Sequence, residues 1–478
     1  MFTKAKEALE YIRREKVCAV DMKFTDLFGA WHHLTVPKGS VDDALFEAGI
    51  GFDGSSIPGF SKLESGDLVL LPDPATAFID PFWENKTLSF ICDIGEADSK
   101  ERYHRDPRSV AQRAEEYLVK TGIATQSLWS PEFEYYIFDN VRHVNDTNRA
   151  FYEIDSEEAS WNAPIRERPN LGHHIPPSGG YHVIPPMDTL YNLRAETVRL
   201  IEEVHIPVRY HHHEVGGPGQ SEIEIGRGPL TKTADWSMII KYFIKMTAKK
   251  FHKTATFMPK PLFGESGSGL HFHQQLFKNE VPIFHDEAGY AGLSRTALSY
   301  IAGVLTHGSA LLAFTNPSTN SYKRLVPGFE APVNLFFSLA NRSASVRIPK
   351  YAIDPMEKTV EFRPPDATCN PYLAMSAILL AGIEGILKNL DPTAEGFGPI
   401  DENVFEWTED ERRTKIKPLS TSLKGALDHL KEDHRFLLEG KVFSADLIET
   451  WNKYKFEKEY QEVRSRPHPY EIALYYNV

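Results

Sequence analysis

The stretch K-P-L-F-G-E-S-G-S-G-L-H-F-H occupies Lys260–His273. Gly264, Gly267 and Gly269 crowd its middle, and glycine lets a chain take positive φ and bring backbone N–H groups close to an anion. The residues that follow alternate, so Leu270–Phe277 reads as a strand with His271 and His273 on one face. A loop able to hold phosphate thus runs into a candidate metal ligand. Alone, the loop reads more readily as a turn, and its surroundings must decide.

Working outward, three further segments repeat the alternation. Ser130–Phe138 carries Glu132 and Glu134, Gln220–Ile225 carries Glu222 and Glu224, and Val360–Arg363 carries Glu361 and Arg363. Residues two apart on a strand share a face, and the residues between are Phe133, Ile223, Phe272 and Phe362, which predicts a buried opposite face. Glu214, after the His211–His213 run, is a fifth carboxylate candidate. Any one pair fits a sheet with a wet face. Four such segments with few lysines opposite fit a cation site, because buried charges need a counter-charge or a metal. Oxygen ligands with a single imidazole suit Mg²⁺ or Mn²⁺ rather than zinc. Of His211–His213, two are read as structural, since three consecutive strand residues cannot all face one ion.

Asn316–Pro332 has neither helical nor strand period and holds Arg324 and Glu330; Arg342, Arg347 and Arg363 follow. Guanidinium groups bind carboxylate and phosphate in bidentate fashion. Arginines, a glycine loop and a two-metal carboxylate cluster together point to phosphoryl transfer on anionic substrates.

The chain has 478 residues, enough for two domains or more. A net charge of −13 argues against a general nucleic-acid binder. Cys18, Cys92 and Cys369 stand far apart without CxxC spacing, which fits a reducing cytoplasm. Met1–Lys16 lacks the apolar core of a signal peptide, and no apolar run of about twenty residues predicts a membrane span. The first hundred residues read as a small α+β unit: a helix at Ala5–Arg14, strands at Val17–Lys23, His33–Val36, Leu68–Leu71 and Thr87–Asp93, a helical Asp42–Ala48, and an exposed loop at Gly51–Phe60. A domain boundary is placed between residues 105 and 106, giving units 1–105 and 106–478. Beyond it, helices are predicted near Arg108–Lys120, Arg194–Val204, Ala234–Thr254, Arg295–Phe314, Tyr372–Leu390 and Leu447–Tyr460. A long loop dense in Gly, Pro and His spans Gly172–Pro186.

Together the motifs resemble those of the type I glutamine synthetases over nearly the whole chain. The matches are F-D-G-S-S at 52–56, E-F-E-Y-Y-I-F at 132–138, H-H-E-V at 212–215, G-Q-S-E at 219–222, the glycine stretch, Asn316–Pro332, and V-E-F-R-P-P-D at 360–366. The resemblance implies an α+β fold: a small β-grasp-like N-terminal domain, and a large catalytic domain with a curved antiparallel sheet, flanking helices and a C-terminal helical tail. It implies a dodecamer of two hexameric rings, with active sites shared between neighbouring subunits. The implied reaction is ATP-dependent ligation of ammonia to glutamate through a γ-glutamyl phosphate.

Carried over by position, Glu134, Glu214 and Glu222 would hold one divalent ion, and Glu132, His271 and Glu361 the second. Arg324, Gly267 and Ser266 would bind glutamate; His273, Arg342, Arg347 and Lys358 would face ATP, with Arg363 beside the phosphates. Asp53 of a neighbouring subunit would deprotonate ammonium, Tyr181 would line that region, and Glu330 would close over the intermediate. The chain departs from the family pattern at four places. Ser266 replaces an asparagine, and Thr359 an arginine that faces nucleotide phosphates. Phe405 stands where many members are adenylylated on tyrosine, so that control is expected to be absent, and Lys62 replaces an arginine used in glutamine sensing. The alternatives are a γ-glutamyl ligase for a larger amine such as a polyamine, and a weakly catalytic regulatory or structural paralogue.

Overall fold

The computed structural model describes residues 2–61, 66–162, 171–328, 331–402, 404 and 406–478. Near the N-terminus, α1 (Ala5–Arg14) turns Ala8, Leu9 and Ile12 inward, the 3–4 spacing of a one-faced helix. Strands β1 (Ala19–Thr25), β2 (Trp31–Pro37), β3 (Ile50–Asp53), β4 (Asp67–Pro72), β5 (Phe78–Ile79) and β6 (Thr87–Glu96) follow, with α2 (Asp43–Glu47) between β2 and β3. They form one mixed sheet in the order β2-β1-β6-β4-β3, with β5 on β6; β1 runs parallel to β6 and the other pairs are antiparallel. Gly51–Phe60 is not all loop. Its start pairs as β3 with β4, and Gly54–Ser56 is a 3₁₀ turn begun by Asp53, whose carboxylate accepts from Ser55 N at 2.8 Å. An aspartate that closes its own turn and a pairing partner fourteen residues away hide that strand from local pattern.

The larger unit begins with α3 (Pro107–Thr121), capped by Asp106. Its strands are β7 (Gln126–Phe138), β8 (Asn140–Asp146), β9 (Arg149–Asp155), β10 (Val208–His213), β11 (Gln220–Ile225), β12 (Gly228–Pro229), β13 (Thr254–Thr256), β14 (Leu270–Lys278), β15 (Val281–Pro282), β16 (Asn334–Leu339), β17 (Ala344–Ile348), β18 (Val360–Phe362) and β19 (Lys417–Pro418). Eleven of them make one sheet, with the order β10-β11-β7-β14-β18-β17-β16-β19 as its spine; β8 and β9 form a separate hairpin. The expected antiparallel arrangement holds with one exception: β16 and β17 run parallel.

The helices of this unit continue with α4 (Tyr191–Glu203), α5 (Leu230–Lys250), α6 (Arg295–Thr306), α7 (Gly308–Thr315), α8 (Ser321–Arg324) and α9 (Pro371–Leu387). The apolar helix α9 is buried almost throughout and packs on α3, α5 and α6, while α5 lies against β7. Phe133, Tyr135, Phe272 and Phe362 close the sheet's inner face. The single helix expected over Arg295–Phe314 is broken by 73° between α6 and α7, where the His307 side chain lies between Glu384 and Asp433. Within Asn316–Pro332, expected to be irregular, Ser321–Arg324 closes one helical turn. The predicted helix Leu447–Tyr460 is α-helical only to Tyr454 and continues as a π turn. No single helix among the described residues is long and apolar enough to cross a membrane.

Candidate functional site

The site is one face of the large sheet, read across its strands. On β7, Ser130, Glu132 and Glu134 point to the same side. β11 sets Glu222 opposite Glu134 and Glu224 opposite Glu132. On the other flank β14 sets His271 opposite Glu132 and His273 opposite Ser130, then β18 adds Glu361 opposite His273 and β17 adds Arg347 opposite Glu361. β10 completes the row with His212 opposite Glu222. The four alternating segments thus share one face, which surrounds a cavity of about 340 Å³.

Charges on this face sort into two kinds. Burial pushes the Glu132 carboxyl up, but His273 and His271, at 2.9 and 3.0 Å, hold it well below the carboxylate range. Glu361 is fully buried yet held at about 2, because Arg363 (2.5 Å), His273 and Arg347 (2.6 Å) outweigh burial. Against burial, Glu132 in turn raises His273 to about 8. On the other side, burial and then the neighbouring Glu134 push Glu214 up to about 7. Burial, followed by Glu132, Glu134 and Glu214, pushes Glu222 well above its ordinary value. Closely packed acids whose carboxyls are raised by burial and by one another are the chemistry of a cation site. Among the described residues, two groups have metal-ligand spacing, with donor atoms all within 4.8 Å: Glu132–His273–Glu361 and His212–Glu214–Glu222.

The glycine loop locks onto this face. Gly269 N–H donates to Glu134 at 2.7 Å. A Cβ on Gly269 would stand 2.5 Å from Arg324 Nη2 and 2.7 Å from His271 Nε2, and one on Gly267 would stand 2.6 Å from Arg324 Cγ. Glycine is required here for close approach. Arg324, buried, donates to Pro364 O at 2.7 Å and to His271 Nε2 at 3.2 Å. Since guanidinium only donates, that nitrogen of His271 accepts and Nδ1 carries the proton shared with Glu132.

The expected site residues Glu132, Glu134, Glu214, Glu222, His271, Glu361, Tyr181, Ser266, Gly267, Arg324, Arg342, Arg347 and Arg363 all line the large cavity. His273 instead lines an adjoining one of about 120 Å³, together with Thr359. Lys358 lines neither; its ammonium donates to Ala291 O at 3.1 Å, turned away by the 3₁₀ turn before it. Asp53 lines neither within this chain. Its carboxyl is held low by Ser55 and Ser56. Glu330, Lys62 and Phe405 lie outside the described residues. Sequence reasoning missed His212, Tyr210, Arg209 and Arg227. The smaller cavity receives Arg209, ion-paired to Glu224 at 2.5 Å, and Arg227, paired to Glu357 at 2.6 Å. The strand alternation that flagged the glutamates also put Tyr210 and His212 on a common face of β10, a usable signal.

Fold and site define an enzyme class: a two-domain α+β protein with paired divalent-metal groups and an arginine-lined pocket for anions on one sheet face. Family models match at residues 16–97 for the β-grasp domain of glutamine synthetase and at 104–475 for its catalytic domain. The chain belongs to the glutamine synthetase family. It is 49% identical to the glutamine synthetase of Frankia alni, with full coverage of both chains. Against that of Mycolicibacterium smegmatis identity is 47%, covering 99% of this chain and 98% of the other. The cryo-EM structure of Plasmodium falciparum glutamine synthetase superposes with a TM-score of 0.90 at 29% identity, covering 99% of each chain. GmaS without ligand superposes at 0.79 over 98% of this chain and 99% of that one, but at 23% identity that likeness concerns the fold alone.

Proposed function

We propose that this chain joins ammonia to the γ-carboxylate of L-glutamate, cleaving ATP to ADP and phosphate. The observation that carries this reading is one cavity lined by Glu132, Glu134, Glu214, Glu222, Glu361, His212 and His271 together with Arg324, Arg342, Arg347 and Arg363. In the first step a γ-carboxylate oxygen attacks the γ-phosphorus of ATP, the bond to ADP breaks, and an acyl phosphate results. In the second, ammonia attacks the acyl carbon and phosphate leaves.

Arg324, Gly267 and Ser266 hold glutamate in this reading, and Arg342, Arg347 and Arg363 meet charge on the phosphoryl group. Mg²⁺ or Mn²⁺ fits the carboxylate and imidazole donors. The raised Glu214 and Glu222 are acids in want of a cation, and two or more ions bound there would neutralise the phosphates as Lewis acids. Glu134, Glu214 and Glu222 would hold one ion, and Glu132, Glu361 and His271 the other, with His273 as a second imidazole spaced to Glu132 and Glu361. His273 lies on the nucleotide side with Arg209 and Arg227, whose guanidinium groups stand in for the one that Thr359 lacks. A neighbouring subunit's Asp53 would take the proton of ammonium, and the family resemblance assigns Tyr181 and Glu330 to the same step. We place the domain boundary between residues 105 and 106, ahead of α3. We also infer a dodecamer of two hexameric rings in the cytoplasm, where ATP, glutamate and the free thiols of Cys18, Cys92 and Cys369 fit.

The test is phosphate release from ATP with Mg²⁺ and L-glutamate, with ammonium, with putrescine, or with neither. Ammonium-dependent release with glutamine formed supports the reading. Release with putrescine only transfers the assignment to a larger-amine ligase, and silence with both in metal-binding protein overturns catalysis.

A further inference from the structure

We propose that His212 is a nitrogen ligand of the cation held by Glu214 and Glu222, an assignment that rests on the metal-dependent ligase reading above. His212 Nδ1 stands 3.0 Å from the backbone carbonyl of His213. A carbonyl only accepts, so Nδ1 carries the proton, and Nε2 of the neutral ring is left with its lone pair. That nitrogen faces Glu222 Oε2 at 3.8 Å, beyond hydrogen-bond reach. Two electron-rich atoms facing each other across that gap want a cation between them. Ligands about 2.1 Å from an octahedral ion stand about 3 Å apart when adjacent and about 4 Å apart when opposite. The observed separation falls in that span.

The ring is also held in place. It packs against His182 at 4.4 Å and Tyr181 at 5.5 Å between ring centroids, with Tyr210 at 5.9 Å on another side. Donation of the second ring N–H to a carbonyl is the arrangement that fixes the tautomer of metal-bound histidine. The other two histidines of the run are occupied differently. His213 is buried between Glu158 at 3.1 Å and the Glu214 carbonyl at 2.7 Å, and His211 is absent from both metal-spaced groups. An imidazole in an otherwise carboxylate set shifts the preferred ion from Mg²⁺ toward Mn²⁺.

The test uses full-length protein loaded with Mn²⁺ and reads ¹⁴N couplings by pulsed electron paramagnetic resonance. The His271→Ala/His273→Ala variant removes the imidazoles of the second group. A remaining nitrogen coupling that disappears on adding His212→Ala is the expected result. Calorimetric titration of single variants should show Mn²⁺ affinity falling tenfold or more in His212→Ala, and Mg²⁺ affinity falling less. His212→Gln, which keeps bulk and polarity, serves if the alanine variant does not fold. A coupling unchanged by loss of His212, or unchanged Mn²⁺ affinity, overturns the assignment. Glutamine formation by the wild type is scored separately. Coupling without glutamine leaves the ligand standing and sinks the ligase reading; glutamine without coupling does the reverse.

Discussion

Neutralising two glutamates on the same sheet face should have opposite effects on the metal-free protein. Glu361 is completely buried and held at about 2 by Arg363, His273 and Arg347, against an ordinary value of 4.5. At about 1.4 kcal/mol per pH unit, a carboxyl lowered that far contributes about 3 kcal/mol of folding stability at neutral pH. Because its folded value is depressed, that contribution is present above about pH 4.5 and is lost as pH falls toward 2. Glu361→Gln removes it and leaves two guanidinium groups without their shared acceptor. Glu222 is the reverse case. Burial and three neighbouring carboxylates raise it well above the ordinary value, so its charge opposes folding at neutral pH. Glu222→Gln should therefore stabilise the metal-free protein, while abolishing cation binding at Glu214. Urea unfolding in a chelating buffer, followed by tryptophan fluorescence at pH 7, measures both. Wild-type stability in Glu361→Gln, or a less stable Glu222→Gln, would refute the electrostatic reasoning. A divalent-ion titration of the same samples should then stabilise the wild type more than either variant, because each variant lacks a carboxylate of one of the two metal-spaced groups.

Gly269→Ala places a methyl 2.5 Å from Arg324 Nη2, so the buried guanidinium must shift and the KM for glutamate should rise about tenfold, about 1.4 kcal/mol, with a lower melting temperature; steady-state kinetics at saturating ATP and a thermal melt check this. Arg227→Ala should raise the KM for ATP several-fold and leave Mn²⁺ affinity alone, since Arg227 lines only the smaller cavity and holds Glu357; kinetics and calorimetry together separate the two. Arg108 is buried between Asp235 at 3.0 Å, Asp73 at 2.7 Å and Asp93 at 2.5 Å, joining the N-terminal sheet to α5. Arg108→Ala strands three carboxylates and should cost about 3 kcal/mol or more, seen as a lower urea midpoint even with metal present.

Local pattern was enough for much of this protein. Alternation about Phe133, Ile223, Phe272 and Phe362 identified four strands and the side each shows to the site, because a period of two survives any tertiary arrangement. The glycines of the loop before β14 and the arginines after Asn316 were legible by type. Their arrangement was not. β7, β14 and β18 are neighbours although more than a hundred residues separate the first from the second, and only that pairing tells that Glu132 lies between His271 and His273. Lys358 and Thr359 are adjacent in sequence, yet a 3₁₀ turn sends the lysine to Ala291 and leaves the threonine in the smaller cavity. His212 was one of three equivalent histidines until β10 paired with β11. The sequence by itself determined which side chains could share a face, since that is set by backbone geometry one residue at a time. The tertiary structure alone decided which faces meet, because strand order is fixed by burying the apolar side of the whole sheet.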